Sequence, residues 1–367
     1  MSKIAIGIVG VGNCASSLLQ GLDFYRAPSR EADGEHIGLM HYDLCGYRPT
    51  DVDVVCAFDI DRRKVGRPLH EAAIAPPNCT RPIYPKLSPS AVTVAMGPIL
   101  DGVSEHMAEY PPEETFLPAD REPVDVADEL RRTGTKILVS YLPVGSQRAT
   151  EHYARACLEA GVALFNCIPV FIASDPQWAA QFEQRRLPII GDDIKSQLGA
   201  TIVHRALAKL FADRGIAIDN TYQLNVGGNT DFLNMLNHAR TKSKRRSKTE
   251  AVQSNLPVPL ARERIHIGPS DYVPFQHDNK LCFLRIEGRG FGNAPIELEL
   301  RLSVQDSPNS AGCVIDAIRG CQVALDRGVG GPLYSLSSYL MKHPPRQAPD
   351  DVAREQVERF IRAEVER

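Results

Sequence analysis

Apolar positions along the chain change their period partway, and the change divides it. Residues 3–9, KIAIGIV, are a continuous apolar run, the pattern of a strand buried on both faces of a parallel sheet. Comparable runs recur in DVDVVCAFDID from residue 51, AVTVAM at 91–96, KILVSYL from 136, VALFNCIPVF from 162 and RRLPIIGDDI from 185. Between them lie helical patterns: SSLLQGL after the first run, VDVADELRRTG ending at Gly134, and residues 147–160. Only residues 75–122, rich in proline, break the rhythm. This alternation of strand and helix over residues 1–200 predicts a doubly wound α/β sheet.

After residue 200 the pattern differs. TIVHRALAKLFADR (201–214) repeats apolar positions at Val203, Leu207, Leu210 and Phe211 and stops at Gly215, which predicts an amphipathic helix. YQLNV, LCFLRIEG and IELELRLSVQD then read as strands. In the last, Ile296, Leu298, Leu300, Leu302 and Val304 alternate with polar residues, so one face is buried. A second, antiparallel α+β domain is expected here. Residues 309–328 return to helix, and 352–367 form an amphipathic helix on Val357, Phe360, Ile361 and Val365.

The first strand runs into Gly10-Val11-Gly12-Asn13-Cys14-Ala15 and then a helix. In such a GxGxxA turn the first glycine permits the tight bend, the second lets backbone N–H groups reach a pyrophosphate, and the helix N-terminus adds its dipole. The second strand ends at Asp59, whose carboxylate suits the two ribose hydroxyls of NAD and would repel the 2′-phosphate of NADP. Arg62 and Arg63 follow closely and are the competing argument for NADP. The gap to Asp59 exceeds the usual ~20 residues, which implies an insertion across residues 25–50. Ligands in an open α/β sheet sit at the carboxyl ends of strands, so SYLPVGS (140–146) is expected along the cofactor.

Charge is concentrated in QLNVGGNTDFLNMLNHARTKSKRRSK (223–248), where a Gly-Gly turn and Asp231 precede Arg240, Lys244 and Lys248. Read alone, this is a polar turn and a basic loop, mobile until a phosphate orders it. The net charge of −3 sets this run apart from a basic protein and excludes nucleic acid as the main partner. Nine scattered cysteines without a CxxC pair read as reduced thiols of a cytoplasmic protein. No apolar run reaches the ~20 residues of a membrane span, and the N-terminus enters a strand rather than a leader. The histidines lack metal-binding helix spacing. The candidate reactive groups are Asp192, Asp193, Lys195, Asp231, Lys244, Lys248, Asp306 and Lys342. A buried lysine beside other cations gives up its proton more readily, and a charged one stabilises a phosphate or an enolate.

At these motifs the chain resembles the myo-inositol-1-phosphate synthase family in its shorter bacterial and archaeal form. The segments are GVGNCASSL (10–18), FDID (58–61), SYLPVGS (140–146), PVFIASDP (169–176), GDDIKSQLGATI (191–202), LNVGGNTDF (224–232), SKRRSK (243–248), DSPNSAG (306–312) and YLMKHPP (339–345). The resemblance implies a Rossmann NAD-binding domain of residues 1–200 completed by 309–367, and a catalytic, tetramerising domain of residues 201–308. It implies cyclisation of glucose 6-phosphate through oxidation at C5, enolisation, intramolecular aldol addition and reduction, with NAD retained. Catalytic residues by resemblance are Lys244, Lys248, Lys342, Asp231, Asp306 and Lys195, with Lys244 and Lys342 moving protons and Lys248 balancing phosphate or enolate charge. Cofactor contacts are expected from Gly10, Gly12, Asn13, Cys14, Ala15, Asp59, Ser140, Leu142, Pro143, Tyr153, Asp193, Ser196, Asp231 and Lys244. A divalent or monovalent cation is left open.

One departure stands out. Where longer members carry a lysine in the strand before the phosphate loop, this chain aligns Arg285, which is a poor base. That admits a paralogue closing fructose 6-phosphate to a five-membered cyclitol phosphate. An NAD-dependent dehydrogenase that releases NADH each turnover, and a non-catalytic NAD-binding protein, are the alternatives of other classes.

Overall fold

The computed structural model describes residues 3–27, 37–84 and 86–367. Part of the insertion expected at 25–50 therefore lies outside the described residues. Seven strands form one parallel sheet in the order β11-β6-β5-β4-β1-β2-β3. They are β1 (Ile4–Val9), β2 (Val52–Asp59), β3 (Ala95–Met96), β4 (Ile137–Ser140), β5 (Ala163–Asn166), β6 (Pro188–Ile190) and β11 (Gly331–Pro332). The apolar runs form these strands because both faces are covered. Helices Asn13–Arg26 and Pro308–Asp326 pack on one face with Ile6, Ile8, Val139 and Phe165. Helices Val126–Arg132, Gln147–Ala160 and Pro176–Gln184 cover the other with Leu138, Leu164 and Ile189. Strand order reverses between β1 and β4, the switch point at which such sheets bind ligands. The fold is a Rossmann-like α/β domain with a second α+β domain.

The second domain's sheet has the order β10-β9-β7-β8, where β7 is Ala217–Gly227, β8 Ile265–Tyr272, β9 Asn279–Arg289 and β10 Pro295–Gln305. β9 runs antiparallel to both neighbours, but β7 and β8 are parallel, so the sheet is mixed rather than antiparallel as expected. Helix Ala200–Asp213 covers its inner face through Phe211, against Cys282, Leu284 and Ile286. Alternating Ile296, Leu298, Leu300 and Leu302 face the same layer.

Three local readings are corrected. The basic run expected as a mobile loop is helix Lys242–Gln253, because Ser247, Lys248, Ala251 and Val252 share a buried face at helical spacing. The run at 91–96 joins the parallel sheet only through Ala95 and Met96, while Thr93 bridges Pro68 outside it. β8 was not expected, since IHIGPSDY carries a glycine and a proline in mid-strand.

Candidate active site

The cavity lies between the carboxyl ends of β1 and β4 and the inner face of the second sheet. Its cofactor end begins at Gly10, where φ is +88° and a Cβ would stand 2.6 Å from the Tyr141 carbonyl oxygen. No side chain fits there, which is the cradle a pyrophosphate needs. Gly12 is the N-cap of helix Asn13–Arg26 and also lines the cavity. Asp59 accepts the Val11 N–H at 2.7 Å on Oδ2, while its Oδ1 accepts from Ile60 and Asp61. The carboxylate is thus braced against the glycine turn and still lines the cavity. Arg63 is bound to Asp61 and to the carbonyls of Pro112 and Thr115, so it is not directed at a 2′-phosphate. These residues fit NAD.

The opposite end is built from side chains of distant segments. Asp193 follows β6 at φ +63°, an orientation that aims its carboxylate inward. Oδ1 takes the Lys342 ammonium at 2.9 Å and lies 3.7 Å from Lys244. Oδ2 accepts from the Ser247 hydroxyl. Burial opposes its charge, but Lys342 and Lys244 outweigh that and hold Asp193 well below the usual carboxylate range. Lys244 also lies 4.0 Å from Asp231, the residue after the Gly-Gly turn. Asn229 fixes that turn as the N-cap of helix Thr230–Met235.

The lysines differ in electrostatic character. Burial pulls Lys244 down, but Asp193, Asp231 and Asp306 outweigh it and raise its affinity for its proton. Lys248 is 4% exposed, and among the described residues no carboxylate pairs with it. Burial, then the cations of Lys280, Lys244 and Lys342, hold it well below its ordinary value. Burial also lowers Lys342, with Lys244 and Lys280 adding to the effect against Asp193. Lys280, at the start of β9, pairs with Asp306 at 3.0 Å. Burial opposes the charge of Asp306, and Lys280 and Lys244 draw its pKa below the ordinary value.

Of the residues singled out in the sequence, Gly10, Gly12, Asn13, Cys14, Asp59, Leu142, Pro143, Tyr153, Asp193 and Ser196 line this one cavity with Asp231, Lys244, Lys248, Asp306 and Lys342. Three do not. Ala15 is buried in the core beneath its helix, and Ser140 is buried within β4. Lys195 turns away: its ammonium donates to the Ser338 carbonyl and to Asp350, each at 3.0 Å. Arg285, the apparent departure, is held on the outer face of the sheet by Glu287, Glu297 and Glu299. The lysine lining the cavity from that strand is Lys280, which the sequence reading missed. The signal was Asp-Asn-Lys immediately before the apolar run. Lys64, which donates to the Val11 carbonyl at 2.7 Å, was also missed. Among the described residues no group of three or more His, Cys, Asp and Glu side chains is placed to hold a metal ion.

A family model described as Myo-inositol-1-phosphate synthase matches residues 199–307. Inositol-3-phosphate synthase of Mycolicibacterium smegmatis is 52% identical over 363 residues, which covers 98% of each chain. The crystal structure of Ari2 is 34% identical, covers 99% of this chain and all of that one, and superposes with a TM-score of 0.78. A myo-inositol-1-phosphate synthase-related protein from Thermotoga maritima shares the fold at 23% identity, with a TM-score of 0.79 over 98% of each chain.

Proposed function

The chain belongs to the myo-inositol-1-phosphate synthase family, and from that premise we propose that it is an NAD-dependent cyclase converting glucose 6-phosphate to myo-inositol phosphate. NAD, when bound along the glycine turn and Asp59, supplies a hydride acceptor for the substrate's C5 carbon and a donor to return the hydride after ring closure. The chain's own residues hold the sugar phosphate and move its protons. The substrate phosphate lies at the N-terminus of helix Ala200–Asp213, where Gly199, Ala200 and Thr201 line the cavity and no side chain caps the helix. Free N–H groups and the helix dipole favour an anion there. Lys342 accepts the C5 hydroxyl proton as hydride leaves, and Asp193 steadies the ammonium that forms. Lys248 removes the C6 proton, since its surroundings disfavour its charged form. Lys244, kept charged by its carboxylates, stabilises the oxygen of the enolate, whose C6 carbon then attacks the C1 aldehyde. Relative to the expectation from resemblance, Lys244 and Lys248 exchange roles, for this electrostatic reason.

The observation that carries the reading is the convergence of Lys244, Lys280 and Lys342 on Asp193 and Asp306, with Lys248 lining the same cavity, which also holds the glycine turn. With Lys280 in the cavity, Arg285 no longer argues for a different sugar. The test is incubation with glucose 6-phosphate and, in parallel, fructose 6-phosphate, with products identified by mass and NMR and absorbance followed at 340 nm. A six-membered cyclitol phosphate from glucose 6-phosphate without net NADH is expected. Accumulating NADH would identify a dehydrogenase, and a five-membered product from fructose 6-phosphate alone would identify the paralogue.

Residues 201–308 act as the catalytic and assembling unit in this reading, and four copies form a homotetramer through that sheet. Support comes from its outer face, where Tyr222 and Phe283 are exposed. Light scattering that found an active monomer would remove the tetramer. A cytoplasmic site suits the nine free thiols, and no described helix is long and apolar enough to cross a membrane.

A further inference from the structure

Asp278, in the turn before β9, is 1% exposed and does not line the cavity. Yet three segments of the site converge on it. Its Oδ1 accepts from Asn13 Nδ2 at 3.1 Å, Asn229 Nδ2 at 3.1 Å and the Ser307 hydroxyl at 2.8 Å. Its Oδ2 accepts the Ser307 N–H at 3.2 Å, and its carbonyl accepts the Asp306 N–H at 2.9 Å. Asn13 belongs to the cofactor turn, Asn229 caps the helix bearing Asp231, and Ser307 follows Asp306. Neither amide is free to turn over. Asn13 Oδ1 accepts the Cys79 N–H at 2.9 Å, and Asn229 Oδ1 accepts the N–H groups of Asp231 and Phe232 at 3.1 and 3.2 Å. Each therefore presents its NH₂ to residue 278, and only an acceptor satisfies two such groups and a hydroxyl at once.

We propose that Asp278 is a positioning residue that ties the cofactor turn, through Asn13, to the carboxylates Asp231 and Asp306, so that NAD and the lysine cluster are held in one register. Burial and the neighbouring Asp306 push it up to about 6, and the three side-chain donors that meet on its Oδ1 make it an acceptor there. An isolated buried carboxylate is costly unless its hydrogen bonds are complete, and here they are drawn from both halves of the site. The proposal rests on reading this cavity as the cyclase site.

Asp278→Ala removes the oxygen on which all three side-chain donors meet. NAD affinity and turnover should both fall by about tenfold or more, the scale of hydrogen bonds to a charged acceptor. Asp278→Asn can set its amide oxygen in the place of Oδ1 and keep those three bonds, its NH₂ opposing only the Ser307 N–H, so it should recover most of both losses. A merely structural role moves the melting temperature and leaves NAD affinity and turnover of the folded variants near wild type. Asp278→Ala within twofold of wild type in both readouts overturns the proposal, as does Asp278→Asn no better than Asp278→Ala. If Asp278→Ala does not fold, Asp278→Asn within about threefold of wild type in both readouts supports the proposal, and a larger loss overturns it. Wild type that binds NAD but does not cyclise glucose 6-phosphate defeats the reading of the reaction, and NAD affinity in the same variants then decides the proposal by itself.

Discussion

The two ends of the cavity are built by opposite means. The cofactor end comes from neighbours in sequence: β1 ends at Val9, Gly10 bends with φ +88°, and helix Asn13–Arg26 begins. In the proposed reading it would bind through backbone N–H groups and a helix dipole, and its geometry is fixed by local conformation. The lysine end joins residues far apart in the chain: Asp193 after β6, Lys244 and Lys248 on one helix, Lys280 and Asp306 flanking a hairpin, and Lys342 after helix Tyr334–Leu340. It works through charge, and charge separates lysines of the same type. Lys244 lies near two carboxylates and keeps its proton, while Lys248, one helical turn on, faces other cations and holds its proton loosely. One end tolerates no added atom at Gly10, and the other depends on which ammonium stands beside which carboxylate.

The sharpest way to break this comparison is at Lys248. Lys248→Met keeps the apolar stem and removes the base, so turnover should fall by ~10²–10⁴-fold, the worth of a general base. NAD affinity should change by less than about threefold, because the cofactor end does not use this group. In the wild-type enzyme the acid limb should report the same residue. A lysine whose pKa is depressed loses its proton at lower pH than free lysine, so turnover rises with pH through that depressed value and levels off above it. Steady-state kinetics over pH, with NAD titration of the variant, measure both. Near-normal turnover in Lys248→Met would transfer the base role to another lysine.

A smaller effect, confined to the other end, is expected at Asp59. Its Oδ2 accepts the Val11 N–H, so Asp59→Ala removes a ribose acceptor and a brace of the glycine turn together. NAD should weaken by ~1.5–3 kcal/mol, or ~10–150-fold. Turnover at saturating NAD should stay within a few-fold of wild type. Calorimetric titration with NAD supplies the first number. Unchanged affinity would dissolve the assignment of the cofactor end.

The same division explains what could be read from sequence. The glycine turn, Asp59 and the runs of β1, β2, β4 and β5 were legible, because a strand–turn–helix motif carries its geometry locally. Helix Lys242–Gln253 was not. Its buried stripe includes Ser247 and Lys248, which count as polar in any hydropathy pattern, so the helical period was masked. Arg285 and Lys280 were confused for a related reason. Arg285 lies directly opposite Glu299 in the β9–β10 register, on the outward face, and strand period alone does not say which face looks toward a distant cavity. Lys195 belonged to a matching motif, GDDIKS, yet its direction was set by Asp350, 155 residues further along the chain.

Lys195 gives the smallest expected effect on chemistry and the cleanest test of what burial means without a cavity. It is 1% exposed, as deeply buried as any lysine of the site, but its partners are structural. Asp350 is shared with Arg205, whose Nε donates to it at 2.8 Å. Lys195→Met therefore leaves Asp350 paired and removes one donor from the Ser338 carbonyl. Stability should drop by ~1–3 kcal/mol, the cost of a buried group left unsatisfied. Turnover should change by less than about tenfold, far below the Lys248 effect. The pH dependence of stability supplies a second readout. Burial, with Arg205 beside it, lowers Lys195 to about 8 in the folded chain from 10.5. Between those values the unfolded chain binds the proton more tightly, so this residue's contribution to stability rises as pH goes from about 8 to 10.5. Melting curves across that window should show the gain in wild type and its loss in Lys195→Met. A loss of turnover as large as that of Lys248→Met, with the fold intact, would place Lys195 among the residues that touch the substrate.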